Sequence, residues 1–167
     1  MIALSILTPA SASVIAASVA FLPAVAVFWL NRKAAEVERK RISCAGAMAD
    51  AIAWLELPYR VRRRQGDDKA TLDALAERFH VLHERLLFHE NWLRIEVPTA
   101  HPLYKQLVAE ARSAALDATR KAWESAPVQA PKDMNTGNLG IDRAKVGVAV
   151  AEFAGEVRKR LRILPPW

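Results

Sequence analysis

No charged side chain occurs before Arg32, only one cysteine occurs anywhere, and only Gly46 and Gly66 precede the glycines that begin at Gly137. The lone cysteine, Cys44, excludes an intrachain disulfide and fits a reducing compartment. Scarce glycine removes the loops that cradle phosphates or present a nucleophile. No Gly-x-Ser-x-Gly, Walker or dinucleotide pattern is present, and Gly137-Asn138-Leu139-Gly140 reads as a turn ahead of a helix. The missing positive charge ahead of the first apolar run argues against a cleaved signal peptide, which needs a basic start and an apolar core of only about 7–15 residues.

What is there instead is an uncharged stretch, Ser11 to Leu30, reading SASVIAASVAFLPAVAVFWL. Twenty such residues at about 1.5 Å each match the roughly 30 Å hydrocarbon thickness of a bilayer. Its Val, Ile, Leu and Phe side chains favour insertion by about 3–5 kcal/mol together, less what the serines and Pro23 subtract. Arg32, Lys33, Arg39, Lys40 and Arg41 follow, so the positive-inside rule places Met1 outside and the rest in the cytoplasm. The expected localisation is the inner cell membrane, crossed once. Ala12, Ala16, Ala20 and Ala24 share one helical face, and a homodimer could pack through them.

The charge after Asn31 is unevenly placed. Residues 32–64 hold nine Lys/Arg against four Asp/Glu, whereas residues 65–97 hold four against seven. Residues 138–167 return to six against three. A chain built to coat nucleic acid would be basic throughout, so the polarised pattern favours a membrane surface and makes nucleic acid an unlikely partner.

Ala, Leu, Glu, Arg and Lys dominate this part and favour helices. A first helix continues from Arg32 to about Leu57, with Val37, Cys44, Met48, Ile52 and Leu55 on one stripe. A second, capped by Asp67 or Asp68, carries Leu72, Leu75, Phe79, Leu82, Leu86, His89 and Leu93 three and four apart, widened by Trp92 and Ile95. A third runs from Thr99–Pro102 to about Ala126, with Leu103, Leu107, Ala111, Ala114, Ala118, Ala122 and Trp123 inward. After a loop over 127–137, a fourth from Asn138 buries Leu139, Val146, Val150, Phe153, Val157, Leu161 and Leu164. The expected fold is all-α: an N-terminal anchor (1–31, span 11–30) continuing into a cytoplasmic up-down bundle of about four helices (32–167).

Candidate chemistry is thin. Glu77 and His80 have the Glu-x-x-His spacing of di-iron bundles, but those sites need two copies plus two further glutamates. Glu77, His80, His83 and Glu84 could hold a lone zinc ion or form a metal-dependent enzyme or sensor, against the ordinary reading of a solvated face. No cofactor is expected. Two basic groups remain. Arg60, Arg62, Arg63 and Arg64, flanked by Trp54 and Tyr59, suit an acidic protein partner or, as an alternative, nucleic acid. Arg158, Lys159, Arg160 and Arg162 would return to the bilayer beside Arg32, Lys33, Arg39, Lys40 and Arg41 and touch its surface. The sequence thus points to a membrane-anchored interaction module, an adaptor, scaffold or regulatory subunit, rather than to an enzyme.

Overall fold

The computed structural model describes residues 9–128 and 139–162, with side chains from Pro23 onward except Ala24. Its elements are helices α1 (Pro9–Ala53), α2 (Leu57–Arg62), α3 (Lys69–Glu96), α4 (His101–Glu124) and α5 (Ala144–Arg160), with no strand among the described residues. The chain divides into two units: α1 up to Arg39 belongs to one, and Lys40–Arg162 forms the other. Among the described residues no helix is long and apolar enough to cross a membrane. The span expected over 11–30 is therefore not borne out by them; most of its side chains, including the Ala12, Ala16, Ala20 and Ala24 face, lie outside the described residues.

Within Lys40–Arg162 the helices alternate in direction. Going up α1 from Lys40 to Asp50 means going down α3, because Lys40 meets Glu96 at 3.1 Å and Asp50 meets His89 at 3.0 Å. Leu86 and His83 of α3 face Tyr104 and Arg112 of α4 in the same antiparallel sense. Arg41 donates to the Leu161 carbonyl at 2.8 Å, so the end of α5 returns to the start of this unit. The helical bundle is as the periodicity suggested.

Local chemistry sets where each helix stops. Pro58 has no amide proton to donate, so α1 cannot run through it. The chain tightens into one 3₁₀ turn, Trp54–Glu56, and restarts as α2 with Pro58 in its first turn, where no donor is needed. Asp68 caps α3: its carboxylate accepts from the Thr71 amide at 3.0 Å and the Thr71 hydroxyl at 2.7 Å. These bonds, the hydroxyl's first, hold the Asp68 carboxyl below the usual aspartate range. The fourth expected helix begins later than foreseen, at Ala144 rather than Asn138.

The α3 seam is buried at Leu75, Leu82, Leu86 and Leu93, but Phe79 is half-buried and packs edge-on against Trp54. Three expectations are corrected by small rotations. On α1 the inward residues are Cys44, Ala47, Asp50 and Ala51, while Ile52 is exposed. On α4 they are Tyr104, Leu107, Ala111, Ala115, Ala118 and Ala122, with Ala115 in place of Ala114 and Trp123 turned outward. On α5, Ala149 replaces Val150 beside Val146 and Phe153. On α1 and α5 a small residue, Ala51 or Ala149, faces inward and lets the helices approach, while the larger Ile52 or Val150 moves toward the rim.

Cys44 is buried, and burial pushes its thiol from the ordinary 9.0 up to about 11. For an acid shifted upward, the stability gained by burying it is intact below pH 9 and fades as pH rises toward 11. At pH 8 the thiolate is about 100-fold scarcer than in an ordinary cysteine. Cys44 of the folded full chain should therefore react with a disulfide reagent at least about 100-fold more slowly than the same chain in denaturant. Equal rates would show that the helix α1 seam is open.

Candidate functional site

The four arginines after Tyr59 do not act alike. Arg64 is only 6 % exposed and is consumed by structure. Its guanidinium donates to the carbonyls of Val61 (3.2 Å), Ala122 (2.8 Å), Trp123 (3.2 Å) and Ser125 (2.6 Å), and to Asp67 at 2.5 Å. Three of those carbonyls belong to the end of α4. No glycine directly follows that helix, so its last carbonyls lack the usual left-handed cap and take donors from the turn after α2 instead. Arg62 serves the same end through the Ala126 carbonyl at 3.1 Å. Arg64 also lies over the Trp123 ring, 5.5 Å from its centroid. The geometry thus removes Arg64 from any partner-binding surface.

Arg60 remains outward and gains a neighbour that its own helix does not supply. Arg78, from α3, lines the same two clefts as Arg60. Neither makes a hydrogen bond or ion pair among the described residues. Arg63 lies over the Tyr59 ring at 5.9 Å and faces the smaller cleft, of about 270 Å³. The larger cleft, about 460 Å³, lies between α1, α2 and α3. Ala53, Leu57, Val81 and Leu82 form its apolar wall, Glu56, Glu77 and Arg85 its polar rim, and Asp50 its floor.

Asp50 is a buried acid in a helix interior and is held by two partners from α3. Arg85 reaches one carboxylate oxygen at 2.5 Å and His89 Nε2 the other at 3.0 Å. Since an ionised carboxylate only accepts, His89 Nε2 carries the proton. The opposite ring nitrogen, Nδ1, is buried without a partner among the described residues. Tyr104 completes this layer by donating to the Leu86 carbonyl at 3.4 Å, and burial, with the nearby Asp50 and Glu90 charges, drives its hydroxyl pKa up. Such a layer fixes helix register. Cys44 lines a different groove, between α1 and α5.

The four residues offered for a metal do not converge as one set. No group of three or more His, Cys, Asp or Glu among the described residues could hold an ion. His80 pairs with Glu84 at 3.1 Å on the exposed face. His83 turns to Arg112, whose guanidinium donates to Nδ1 at 2.9 Å and so occupies that lone pair. Arg112 in turn lies 5.0 Å from the ring centroid of Trp54, which is half-buried.

The basic residues assigned to a membrane surface are partly engaged within the protein. Lys33 pairs with Glu36 at 3.3 Å, Lys40 with Glu96, Arg41 with the Leu161 carbonyl, and Arg160 with Glu156 at 2.8 Å. Arg160 is also the main cause that holds the Glu156 carboxyl below its usual range, ahead of a bond from Thr99. Arg32, Arg39, Arg158, Lys159 and Arg162 are exposed.

Sequence reading missed one further feature. Val81, Phe88 and Ile95 on α3 are 41 %, 65 % and 73 % exposed and lie seven residues apart, hence on one helical face beside the leucine seam. Val81 belongs to the wall of the larger cleft, so this apolar stripe begins where Arg60 and Arg78 converge. No protein-family model, no curated protein and no solved structure matches the chain.

Proposed function

We propose that the protein is a membrane-anchored helical interaction module, with no catalysis of its own, that holds an acidic amphipathic segment of another protein against α3. The observation that carries this reading is the meeting of the exposed stripe Val81, Phe88 and Ile95 with two unpaired arginines, Arg60 and Arg78, from different helices. Large apolar side chains at heptad spacing are the anchors on which a helix docks, and flanking cations select an acidic partner and speed its approach.

Anchoring to the inner membrane is supported by the uncharged run 11–30 and by the cations after it. Val25, Val27, Phe28, Trp29 and Leu30 on α1 are all exposed, an apolar helix surface all round of the kind that lipid covers. Arg32 and Arg39, with Arg158, Lys159 and Arg162, would then contribute about 1 kcal/mol each wherever they approach anionic lipid.

Phe88→benzoylphenylalanine in the full chain, irradiated in native membranes, should give one dominant adduct with another protein. In an Arg60→Glu/Arg78→Glu background that adduct should fall at least about tenfold, as expected when two charge-assisted contacts become repulsive. An adduct of unchanged yield in that background, or none at all, would sink the proposal.

A further inference from the structure

The smaller of the two clefts shared by Arg60 and Arg78, of about 270 Å³, lies between the end of α2 and the start of α3. Thr71, Ala74 and Arg78, three and four residues apart on α3, form one wall, with Arg60 and Gln65 across from them. Two of its four arginines are engaged. Arg64 is offset by Asp67 and bound to the end of α4, and Arg63 lies over Tyr59 and has a further partner. Arg60 and Arg78 have no hydrogen bond or ion pair among the described residues. No acidic side chain is among the lining residues. Asp68, close by, turns both carboxylate oxygens onto Thr71, and Glu77 lines the larger cleft. Two guanidiniums from different helices thus share a small cleft with no carboxylate paired to either.

From this arrangement we propose that the cleft receives a phosphorylated side chain, as its dianion, carried by the segment that lies along α3. The source of the phosphoryl group rests on the partner proposed above; the cleft's preference for such a group does not. Two monocations match one dianion, whereas a single carboxylate would leave one guanidinium unmet. Each planar guanidinium can hold two oxygens, and a phosphoryl group presents three to be shared between them, with the Gln65 carboxamide as a neutral donor. Size sets what enters. A phosphoryl group has about the bulk of two water molecules, roughly 60 Å³, and leaves room for the stem that carries it. One turn of α-helix, about 5.4 Å tall and 10 Å wide, fills roughly 400 Å³ and stays outside. The route is continuous as well. Ala74 is exposed and lies seven residues before Val81, so the face of Val81, Phe88 and Ile95 extends into the wall of this cleft.

The test titrates the full chain in dodecyl maltoside with phenyl phosphate, phenyl sulfate or benzoate, followed by calorimetry. Phenyl phosphate should bind at least about tenfold more tightly than either monoanion. Arg60→Gln and Arg78→Gln, both exposed changes, should each weaken it at least about tenfold, the worth of one lost charge-assisted bond. Arg158→Gln, an exposed cation elsewhere, should leave it unchanged. No binding of phenyl phosphate, equal affinity for the three anions, or an equal loss in Arg158→Gln would overturn the inference even where the Phe88 adduct forms. In a second arm, native membranes are treated with alkaline phosphatase before the Phe88 crosslinking, and the adduct should fall at least about tenfold. An adduct of unchanged yield would overturn the phosphorylated source and leave the docking surface standing. Phenyl phosphate binding with no adduct in untreated membranes would instead sink the docking surface, and the source with it.

Discussion

Arg64→Ala should destabilise the full chain by about 2–4 kcal/mol, the cost of leaving two buried carbonyls without their charged donor. The side chain donates to four carbonyls and one carboxylate, and three of those carbonyls are the otherwise uncapped end of α4. Deleting it leaves the Val61 and Ala122 carbonyls buried without a donor, each unmet buried group costing about 1–3 kcal/mol before relaxation, while the Trp123, Ser125 and Asp67 acceptors are reached by water. The bond from the Val128 amide to the Arg64 backbone carbonyl, at 2.8 Å, survives the substitution, so the loss measures the side chain alone. Arg64→Lys should recover less than half of the loss. An ammonium is a point donor and cannot span acceptors on both sides as the planar guanidinium does. Urea unfolding followed by circular dichroism measures both variants. A midpoint for Arg64→Ala within error of the parent would mean that water replaces every one of these bonds and that the network is decorative.

That network explains which parts of the protein the sequence could reveal. Asp68 was readable as a cap because a cap works over three residues, and the spacing to Thr71 is written in the chain. Leu75, Leu82, Leu86 and Leu93 were readable because they repeat on one face. Arg64 was not readable, since its role depends on which helix end comes to rest beside α2. The one available signal was negative: the chain after Trp123 offers no glycine to close α4. Tyr104 was passed over for Leu103 because periodicity resolves a face only to about one residue, and the structure settles it by packing Tyr104 against Phe153 at 5.8 Å between ring centroids.

The candidate surface was half legible for the same reason. Arg60 stands in a visible run of arginines, whereas Arg78 is isolated in sequence and joins it only when α3 packs on α2. The stripe Val81, Phe88 and Ile95 is as regular as the buried seam, but one helix cannot announce which of two apolar faces meets the core. Ile95 was accordingly expected inside and is 73 % exposed. A second regular apolar stripe of this kind is itself informative, because the neighbours that cover the leucine seam leave Phe88 and Ile95 exposed.

Phe153→Ala should produce the largest loss in the core, about 3–5 kcal/mol, enough to unfold a domain of ordinary marginal stability. Phe153 is 1 % exposed and sits where α1, α4 and α5 converge, against Tyr104 on one side and beside Cys44 and Met48 on the other. Removing the ring deletes its transfer free energy and leaves a cavity that Ala149 and Ala154 are too small to fill. It also strips Tyr104 of an aromatic contact worth about 0.5–1.5 kcal/mol. Phe79→Ala, on the seam that periodicity alone would rank equally, should cost markedly less, because Phe79 is half-buried and its loss opens to solvent instead of sealing a void. Phe153→Leu separates volume from aromaticity, since it keeps most of the apolar contact and should recover more than half of the Phe153→Ala loss. The ordering Phe153→Ala, Phe79→Ala, Phe153→Leu in thermal midpoint, read on the full chain, discriminates this packing from its nearest rival. Were Phe79→Ala the more damaging of the two alanine variants, α3 would have to bury its Phe79 face and α5 would be peripheral.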